Sequence, residues 1–264
     1  MGTAASAAAT ESGQRRVLKL LSFNIQAGSD VQSYREYVTR GWQQVLPHAG
    51  KSRNLTQVAN LVADYDLVAL QEADAGSLRS GFRNQVHFLA EAAGFPYWSH
   101  QPNRRVARIA EPSNGLLSRM EPTEVLDHRL PGAIPGRGVL EVRFGTKRSG
   151  LHVLIAHLAL SARARRLQID YLAEIIGEHP HVVLMGDFNC TAESAELRAL
   201  FDRGHMLPPA CVAHTFPSWS PNRAIDHILV SQALAPLTLE VPPLRVSDHL
   251  PVAMTVELPE SCVF

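Results

Sequence analysis

Residues 182 to 189 read Val182-Val183-Leu184-Met185-Gly186-Asp187-Phe188-Asn189. The apolar run is typical of a buried strand, and the glycine that follows it predicts a turn. An acid and an amide two residues apart therefore emerge at the carboxyl end of a strand, where catalytic groups tend to lie. Glycine and aspartate are also ordinary turn residues, so a plain turn is the simpler interpretation of this segment taken alone.

Similar apolar runs recur along the chain and predict further strands. They cover residues 17–25, 67–70, 115–117, 139–144, 151–156, 225–230 and 252–256. Helical periodicity occurs at residues 54–63, 85–93 and 162–176,. Since strands and helices are intermixed, we expect an α/β or α+β protein. No segment resembles an interdomain linker, so we expect one domain over residues 17–264, after a disordered leader at residues 1–16.

Composition limits the kind of partner and the location. Lys and Arg together equal Asp and Glu, at 25 each, so no overall positive field would draw the chain onto nucleic acid or an acidic membrane,. The three cysteines are too few and too unevenly spaced for a disulfide framework or a zinc site,. No apolar stretch approaches the roughly 20 residues of a membrane span. We expect a soluble, monomeric, cytoplasmic protein that meets any anionic substrate locally.

Other polar residues also lie at the ends or interruptions of apolar runs. They are Asn24, Glu72, His157, Asp226, Asp248 and His249. Each has an ordinary explanation alone, as a turn residue, a solvated strand end or a structural histidine. Taken together with Asp187 and Asn189, they match the groups needed for metal-assisted attack of water on a phosphoester.

The residue types suggest a division of roles. Because Mg²⁺ prefers oxygen ligands and keeps several waters, Glu72 and the amide oxygen of Asn24 would suffice to hold it. Asp187 would orient or deprotonate the attacking water, and Asn189 would donate to a non-bridging phosphate oxygen. His249, polarised by a carboxylate, would stabilise the transition state as imidazolium or protonate the leaving group.

A family resemblance rests on short motifs in a fixed order. They are Phe23-Asn24, Gln71-Glu72, Asn114-Gly115-Leu116-Leu117-Ser118-Arg119, His157-Leu158, Gly186-Asp187-Phe188-Asn189, Ile225-Asp226-His227 and Ser247-Asp248-His249-Leu250-Pro251. This series resembles the endonuclease/exonuclease/phosphatase superfamily. That group includes the pancreatic-type deoxyribonucleases, the exonuclease III class of abasic-site endonucleases, neutral sphingomyelinases and inositol polyphosphate 5-phosphatases.

The resemblance implies a four-layer α/β sandwich, in which two mixed β-sheets pack face to face between helices. Each half of the chain would contribute one sheet, and the site would lie at one edge. The implied metal ligands are Asn24 and Glu72, with Asp248 nearby as a further metal ligand. The implied catalytic residues are His157, Asp187, Asn189, Asp226 and His249, with Asp226 orienting His249 and His157 facing the phosphate.

Three features depart from particular relatives. Abasic-site endonucleases have an acid two residues after the first asparagine, where this chain has Gln26. They also have a tyrosine where this chain has His157, which favours the deoxyribonuclease-like branch. Enzymes of that branch give this histidine an acidic partner, but residues 97–105 contain no acid. The partner of His157 is therefore left open.

Further contacts with substrate are suggested by Asn114, Arg137 and Arg163. A second basic stretch, with Arg104, Arg105 and Arg108, follows a short strand that we expect at residues 97–99, and the arginines after His157 also include Arg165 and Arg166. Either group would suit phosphate, although a solvated surface is the simpler interpretation. Tyr34, Tyr37 and Trp42 lie in a long segment, residues 28–53, which would help to select the substrate by stacking or would pack against itself.

The sequence therefore predicts a phosphoesterase that depends on Mg²⁺ or Mn²⁺ and hydrolyses a phosphodiester in one in-line displacement. Nucleic acid is the preferred substrate. The alternatives within the enzyme class are a phospholipid or sphingomyelin headgroup and a small phosphomonoester. The alternative outside it is an inactive binding module, because folds are reused as scaffolds.

Overall fold

The computed structural model describes residues 16–28, 49–102, 111–132, 136–177 and 179–264. Within these residues the chain forms eleven strands and four α-helices. The strands are β1 (Arg16–Asn24), β2 (Leu67–Asp74), β3 (Tyr97–Pro102), β4 (Pro112–Ser118), β5 (Glu124–Arg129), β6 (Gly138–Phe144), β7 (Leu151–His157), β8 (Val182–Asp187), β9 (Asp226–Val230), β10 (Ala235–Glu240) and β11 (Val252–Leu258). The helices are α1 (Ala49–Val62), α2 (Gln85–Ala93), α3 (Ala162–Ile176) and α4 (Arg198–Arg203).

The ends of α2 and α3 follow from local capping. The side chain of Asn84 accepts a hydrogen bond from the backbone N of His87, and Gly94 ends α2 in the left-handed conformation,. The side chain of Ser161 accepts from the backbone N of Ala164 at the start of α3,. Both helices span the residues that the sequence predicts.

The strands form two mixed sheets. The first has the order β10-β11-β1-β2-β4-β3, and the second has the order β5-β6-β7-β8-β9. Each sheet contains one parallel pair, which is β1 with β2 in the first and β7 with β8 in the second. Parallel neighbours need a crossover connection, and in chain order α1 and α3 lie in these two connections,.

Three clusters of buried apolar side chains hold the layers together. Between the sheets, Leu20 and Ala69 pack with Val153 and Met185. The outer face of the first sheet packs against α1 and α2, and the outer face of the second packs against α3 and α4. Burial of apolar surface on both faces of each sheet stabilises this order of layers. The predicted four-layer α/β sandwich is confirmed.

Three elements were not predicted. β5 and β10 are edge strands whose residues are mostly exposed, so their sequences lack a long apolar run,. The helix α4 has only six residues. The expectation that each half of the chain forms one sheet is wrong, because β10 and β11 return to the first sheet. There β11 buries Val252, Met254 and Val256 in the cluster between the sheets.

Several predicted features lie outside the described residues. They include residues 1–15 of the leader, residues 29–48 of the long segment with Tyr34, Tyr37 and Trp42, and the arginines at 104, 105 and 108. All three cysteines are unpaired, with Cys190 and Cys262 buried and Cys211 exposed. Among the described residues, no helix is both long enough and apolar enough to cross a membrane.

Candidate active site

The candidate active site lies where the interior between the sheets changes from apolar to polar, at one end of the strands. In β8, Val183 and Met185 point into this interior, and Asp187 continues the alternation,. In β7, His157 follows Ile155 in the same way. Inward positions on other strands hold further buried polar residues, namely Asn24 on β1, Gln71 on β2, Asn114 on β4 and Asp226 on β9.

Strand pairing brings these ends together. The parallel pair β1 and β2 aligns Asn24 with Gln71, so Glu72 follows at the same edge. In the second sheet, Asp187 is aligned with His157 on one side and with Asp226 on the other. The two sheets meet where Nδ2 of Asn24 donates a hydrogen bond to Oδ2 of Asp187, at 3.1 Å.

Asp187 is the centre of this cluster. Its Oδ1 accepts a hydrogen bond from the backbone N of Asn189 at 2.9 Å. Its Oδ2 lies 3.3 Å from Nε2 of His157 and 3.8 Å from Nε2 of His249. Burial acts to raise the pKa of Asp187, but His249 and His157 outweigh it and hold the pKa well below its usual range,. Asp187 is therefore an ionised carboxylate at neutral pH.

His249 and Asp226 form a hydrogen-bonded pair beside Asp187. Nδ1 of His249 lies 3.0 Å and 2.9 Å from the two carboxylate oxygens of Asp226. Burial acts to lower the pKa of His249, but the charges of Asp226 and Asp187 outweigh it and raise the pKa to about 10. The ring is thus an imidazolium at neutral pH, with Nε2 directed towards Asp187.

Two residues that the sequence analysis did not identify support this pair. The hydroxyl of Thr215 donates to Oδ2 of Asp226, and the ring of Phe216 packs against His249 with 4.9 Å between ring centroids. Both belong to the irregular segment before β9, where no periodic pattern gives a signal. Ser247 is also structural, because its hydroxyl donates to the backbone O of Asn24 at 2.7 Å.

Glu72 is held in an unusual backbone conformation. Its φ is 57°, in the left-handed region, at the point where the pairing of β2 with β4 shifts between Leu70 and Ala73. This irregularity interrupts the alternation of β2 and leaves the Glu72 side chain 33% exposed,. Its Oε1 lies 3.9 Å from Nε2 of His157. Asp187 and Glu72 are therefore the acidic neighbours of His157 that the sequence did not identify.

Asp248 lies on the first-sheet side of the site. Its Oδ2 accepts a hydrogen bond from Nε2 of Gln26 at 3.1 Å, and its Oδ1 is 3.3 Å from the hydroxyl of Ser247. Burial, reinforced by the charges of Glu72 and Asp187 and opposed by His249, raises the pKa of Asp248 to about 6. The site thus crowds several carboxylates together, which favours a cation among them.

The backbone around Asp187 depends on its neighbours in the motif. Gly186 has a φ of 150°, and a Cβ atom there would lie 1.8 Å from the backbone O of Ala156, so only glycine fits this approach of β7 and β8,. Asn189 has a φ of 54°, and its Nδ2 donates to the backbone O of Leu158 at 3.0 Å. This bond ties the loop after β8 to the end of β7.

The three predicted substrate contacts occupy different environments. Asn114 is fully buried, and its Nδ2 donates to the backbone O of Gly138 at 2.9 Å, which links the two sheets. Arg137 lies close enough to Glu72 and Asp187 to feel their charge, while burial lowers the pKa of its guanidinium. Arg163 is exposed in the first turn of α3. Of the three, Arg137 is the one within electrostatic range of the cluster.

A sequence comparison identifies the family. The model of the endonuclease/exonuclease/phosphatase family matches residues 21–249, which include every candidate catalytic and metal-binding residue. The chain belongs to this family. Its members are divalent-metal-dependent phosphoester hydrolases, so this protein is a phosphoesterase. No curated protein matches the chain significantly.

Solved structures show the same fold. An endonuclease/exonuclease/phosphatase from Beutenbergia cavernae has a TM-score of 0.71 at 19% identity, covering 94% of this chain and 73% of that chain. A family protein from Bacteroides thetaiotaomicron has a TM-score of 0.68 at 19% identity, covering 93% and 99% of the two chains. A mannosyl-6-phosphatase from the same species has a TM-score of 0.65 at 19% identity, covering 90% and 99%. At these identities the likeness concerns the fold alone.

The donor set suits the divalent ion on which the family depends. Asp187, Asp226 and His249 offer ligand atoms within 4.8 Å of one another, but Asp226 already pairs with Nδ1 of His249, and the raised pKa of His249 keeps its ring protonated. An imidazolium has no lone pair for a metal. Glu72, in contrast, has no hydrogen-bond donor on its carboxylate among the described residues. The hard oxygens on the Asn24 and Glu72 side therefore fit a cation better.

Proposed function

We propose that this endonuclease/exonuclease/phosphatase family protein hydrolyses a phosphodiester of nucleic acid by direct in-line attack of water. The single observation that carries the proposal is the position of Asp187. It joins Asn24 of the first sheet to His157 of the second and to His249 of the segment before β11, through one carboxylate oxygen. A phosphate bound there would meet a carboxylate, two imidazoles and amide groups at once.

The cation has one function in this scheme. Asn24 and Glu72 would hold Mg²⁺ or Mn²⁺, with Asp248 beside them, and the ion would neutralise charge on the phosphate and its leaving oxygen. Both ions accept such oxygen ligands.

Asp187 acts on the attacking water. Because His249 and His157 hold its pKa well below the usual range, Asp187 is an ionised carboxylate that orients the attacking water and takes the proton that the water loses as its oxygen bonds to phosphorus,. Asn189, in the adjacent left-handed turn, has a second Nδ2 hydrogen beyond the one given to Leu158, and it donates to a non-bridging oxygen,. His157 faces the same phosphate from the end of β7.

His249 acts at the leaving group. With a pKa raised to about 10, it enters the reaction as an imidazolium whose Nε2 carries a proton. Asp226 fixes the ring through Nδ1 and stabilises its charge. The imidazolium stabilises the negative charge of the transition state and gives its proton to the leaving oxygen.

Charge favours a diester over a monoester. The cluster holds the carboxylates of Glu72, Asp187, Asp226 and Asp248, against the cations Arg137 and His249. A diester brings one negative charge and a monoester brings up to two. Binding a diester among these carboxylates therefore requires less additional positive charge.

A substrate panel tests this proposal. Plasmid DNA, single-stranded DNA, RNA, sphingomyelin, inositol phosphates and mannose 6-phosphate are incubated with Mg²⁺ or Mn²⁺, with His249→Ala as the blank. We expect hydrolysis of nucleic acid by the wild type alone. If all three nucleic acids stay intact while a lipid or a monoester is turned over, the nucleic-acid assignment is wrong.

A further inference from the structure

Gln101 is a buried polar residue on an edge strand. It lies on β3, which joins the first sheet only through β4, and there it is aligned with Asn114. Its side chain is only 5% exposed. Nδ2 of Asn114 donates to Oε1 of Gln101 at 3.2 Å. A buried amide also needs acceptors for its two hydrogens, and for Gln101 both acceptors come from the second sheet,.

The Gln101 amide joins two strands of the second sheet. Its Nε2 donates to the backbone O of His128, near the end of β5, and to the backbone O of Val139, near the start of β6, each at 3.1 Å. Turning the amide over would place its oxygen against two carbonyl oxygens, where acceptors would repel each other. The observed orientation therefore satisfies the amide and holds the end of β5 and the start of β6 in place.

Gly138 makes room for this amide. It alternates along β6 with Leu140 and Val142, which pack between the sheets, so a side chain at position 138 would point into the same interior,. A Cβ atom there would lie 2.7 Å from Cδ of Gln101. The Gln101 amide thus occupies the space that a side chain of residue 138 would fill.

This space adjoins the inner end of the active site. In the antiparallel pair of β6 and β7, Val139 is aligned with Ala156. The next position in this register brings Gly138 beside His157, which faces the phosphate in the proposed function. Gln101 is therefore fixed to the strand that neighbours a catalytic histidine, although it belongs to the other sheet.

Arg137 directly precedes the strand end that Gln101 holds. The backbone O of Arg137 accepts from the backbone N of Leu130 at 3.0 Å, which completes the connection between β5 and β6. Its guanidinium has no hydrogen-bond partner among the described residues, and it lies within electrostatic range of Glu72 and Asp187. A guanidinium with free N–H groups beside these carboxylates is suited to binding a phosphate.

We infer that Gln101 is a positioning residue for the contact between Arg137 and the phosphate of the substrate. It acts by fixing the backbone at Gly138 and Val139, which keeps the arginine at one position beside the inner cluster of carboxylates and histidines. The inference rests on the proposed hydrolysis of a phosphodiester and adds a residue to the substrate-binding side of that site.

A double-mutant cycle with Arg137 tests this role. The proteins are the wild type, Gln101→Met, Arg137→Met and the variant with both changes. Ser231→Ala is the matched control, because it removes two buried hydrogen bonds, with Pro180 and Val182, at the end of β9 away from the site. Values of kcat and KM are measured with bis-p-nitrophenyl phosphate and Mn²⁺, so the test does not depend on the nucleic-acid assignment. Far-UV circular dichroism checks that each variant is folded.

We expect Gln101→Met to raise KM about tenfold, as Arg137→Met does, with kcat changed less than about twofold. The double variant should have the KM of Arg137→Met alone, and Ser231→Ala should keep the KM of the wild type. The inference is overturned by an unchanged KM in either single variant, by an equal rise in Ser231→Ala, or by a rise of about a hundredfold in the double variant. Each of these results leaves phosphodiester hydrolysis standing, whereas no hydrolysis by the wild type overturns both.

Gly138→Ala replaces Gln101→Met if that variant does not fold. The added Cβ displaces the Gln101 amide without removing it, so KM should rise in the same way. An unchanged KM in Gly138→Ala would overturn the inference. Failure of both variants to fold would also overturn it, because Gln101 would then be needed for the fold and not for the position of Arg137.

Discussion

Two clusters of histidine and carboxylate, one at each face of the second sheet, are alike in composition. The inner cluster is His157, Asp187, Asp226 and His249, at the polar end of the interior between the sheets. The outer cluster is His128, Glu141 and His152, on the opposite face of the same sheet. In both, imidazole nitrogens lie within 3.5 Å of a buried carboxylate.

The outer cluster has its bonding groups occupied by neighbours. Glu141 lies 2.8 Å from Nε2 of His128 through one oxygen and 3.4 Å from Nδ1 of His152 through the other. Nε2 of His152 is 3.2 Å from the backbone O of Lys147, and Nδ1 of His128 is 3.3 Å from the hydroxyl of Tyr171 on α3. The cluster therefore ties β5, β6 and β7 to the helix layer.

The inner cluster differs in its surroundings. It adjoins Glu72, whose carboxylate has no hydrogen-bond donor among the described residues, and the guanidinium of Arg137. It also lies at strand ends, where loops open to solvent, whereas Glu141 and His152 lie within their strands beneath α3. A histidine beside a carboxylate therefore indicates a catalytic site only where further charged groups without hydrogen-bond partners lie close to the same point.

The largest effect should come from Asp187→Asn. This change removes the charge that orients the water and stabilises His249, so kcat should fall about 10³-fold. The matched change in the outer cluster, Glu141→Gln, should keep activity close to that of the wild type. Steady-state hydrolysis with Mg²⁺ measures both. Equal losses of activity in the two variants would show that the inner cluster is no more important for catalysis than the outer cluster.

The outer cluster should matter for stability. Glu141→Gln leaves the buried His152 and the half-buried His128 without their carboxylate and should lower the free energy of unfolding by about 2 kcal/mol,. The control is Asp170→Asn, which removes an exposed ion pair with Arg203 and should cost less than about 1 kcal/mol,. Urea unfolding at pH 7 measures both values. The structural role of the outer cluster is wrong if the two variants are equally stable.

A substitution at Arg137 tests whether this arginine belongs to the substrate site beside the inner cluster. Because its guanidinium lies near Glu72 and Asp187, Arg137→Met should weaken substrate binding and raise KM about tenfold, with a smaller change in kcat,. Arg129→Met, on the exposed edge strand β5, controls for the loss of one positive charge. A KM that changes equally in both variants would exclude Arg137 from the site.

Glu141 of the outer cluster should lose its contribution to stability as pH falls, and His249 of the inner cluster should lose its contribution as pH rises. Both effects are measured on protein freed of metal by chelation. The pKa of Glu141 is lowered, first by the hydrogen bond from His152, so its contribution is present above the ordinary 4.5 and is lost as pH falls,. The pKa of His249 is raised from 6.5 to about 10, so its contribution is complete below 6.5 and is lost as pH rises to 10,.

Urea unfolding at a series of pH values tests the direction in which each contribution to stability changes with pH. The stability difference between wild type and Glu141→Gln should shrink on acidification, and the difference between wild type and His249→Gln should shrink on alkalinisation. A His249→Gln difference that grows between pH 6.5 and 10 would contradict the ion pair with Asp226.

Much of the fold and site could be predicted because both depend on alternation along buried strands. His152 and His157 lie on one strand, five residues apart, and the inward apolar residues between them place His157 on the inner face and His152 on the outer. The apolar runs of β1, β7 and β8 likewise predict both the strands and the polar residues at their ends. The family and the four-layer fold are confirmed, and the residue roles stay predictions.

The remainder depends on contacts between distant residues. Thr215 and Phe216 reach Asp226 and His249 from an irregular segment that has no periodic signal. The hydrogen bond from Gln26 to Asp248 joins residues 222 positions apart. The edge strands β5 and β10 are exposed, so backbone pairing rather than an apolar pattern defines them.

Hydrolysis of bis-p-nitrophenyl phosphate tests whether the inner cluster cleaves a phosphodiester with the help of a metal ion. Purified wild type and His249→Ala are compared with Mg²⁺ or Mn²⁺ and with a chelator. The wild type should release nitrophenolate only with the metal, and His249→Ala should release almost none under either condition. A wild type that is no faster than His249→Ala in the presence of metal would contradict the assignment of phosphodiester hydrolysis to the inner cluster.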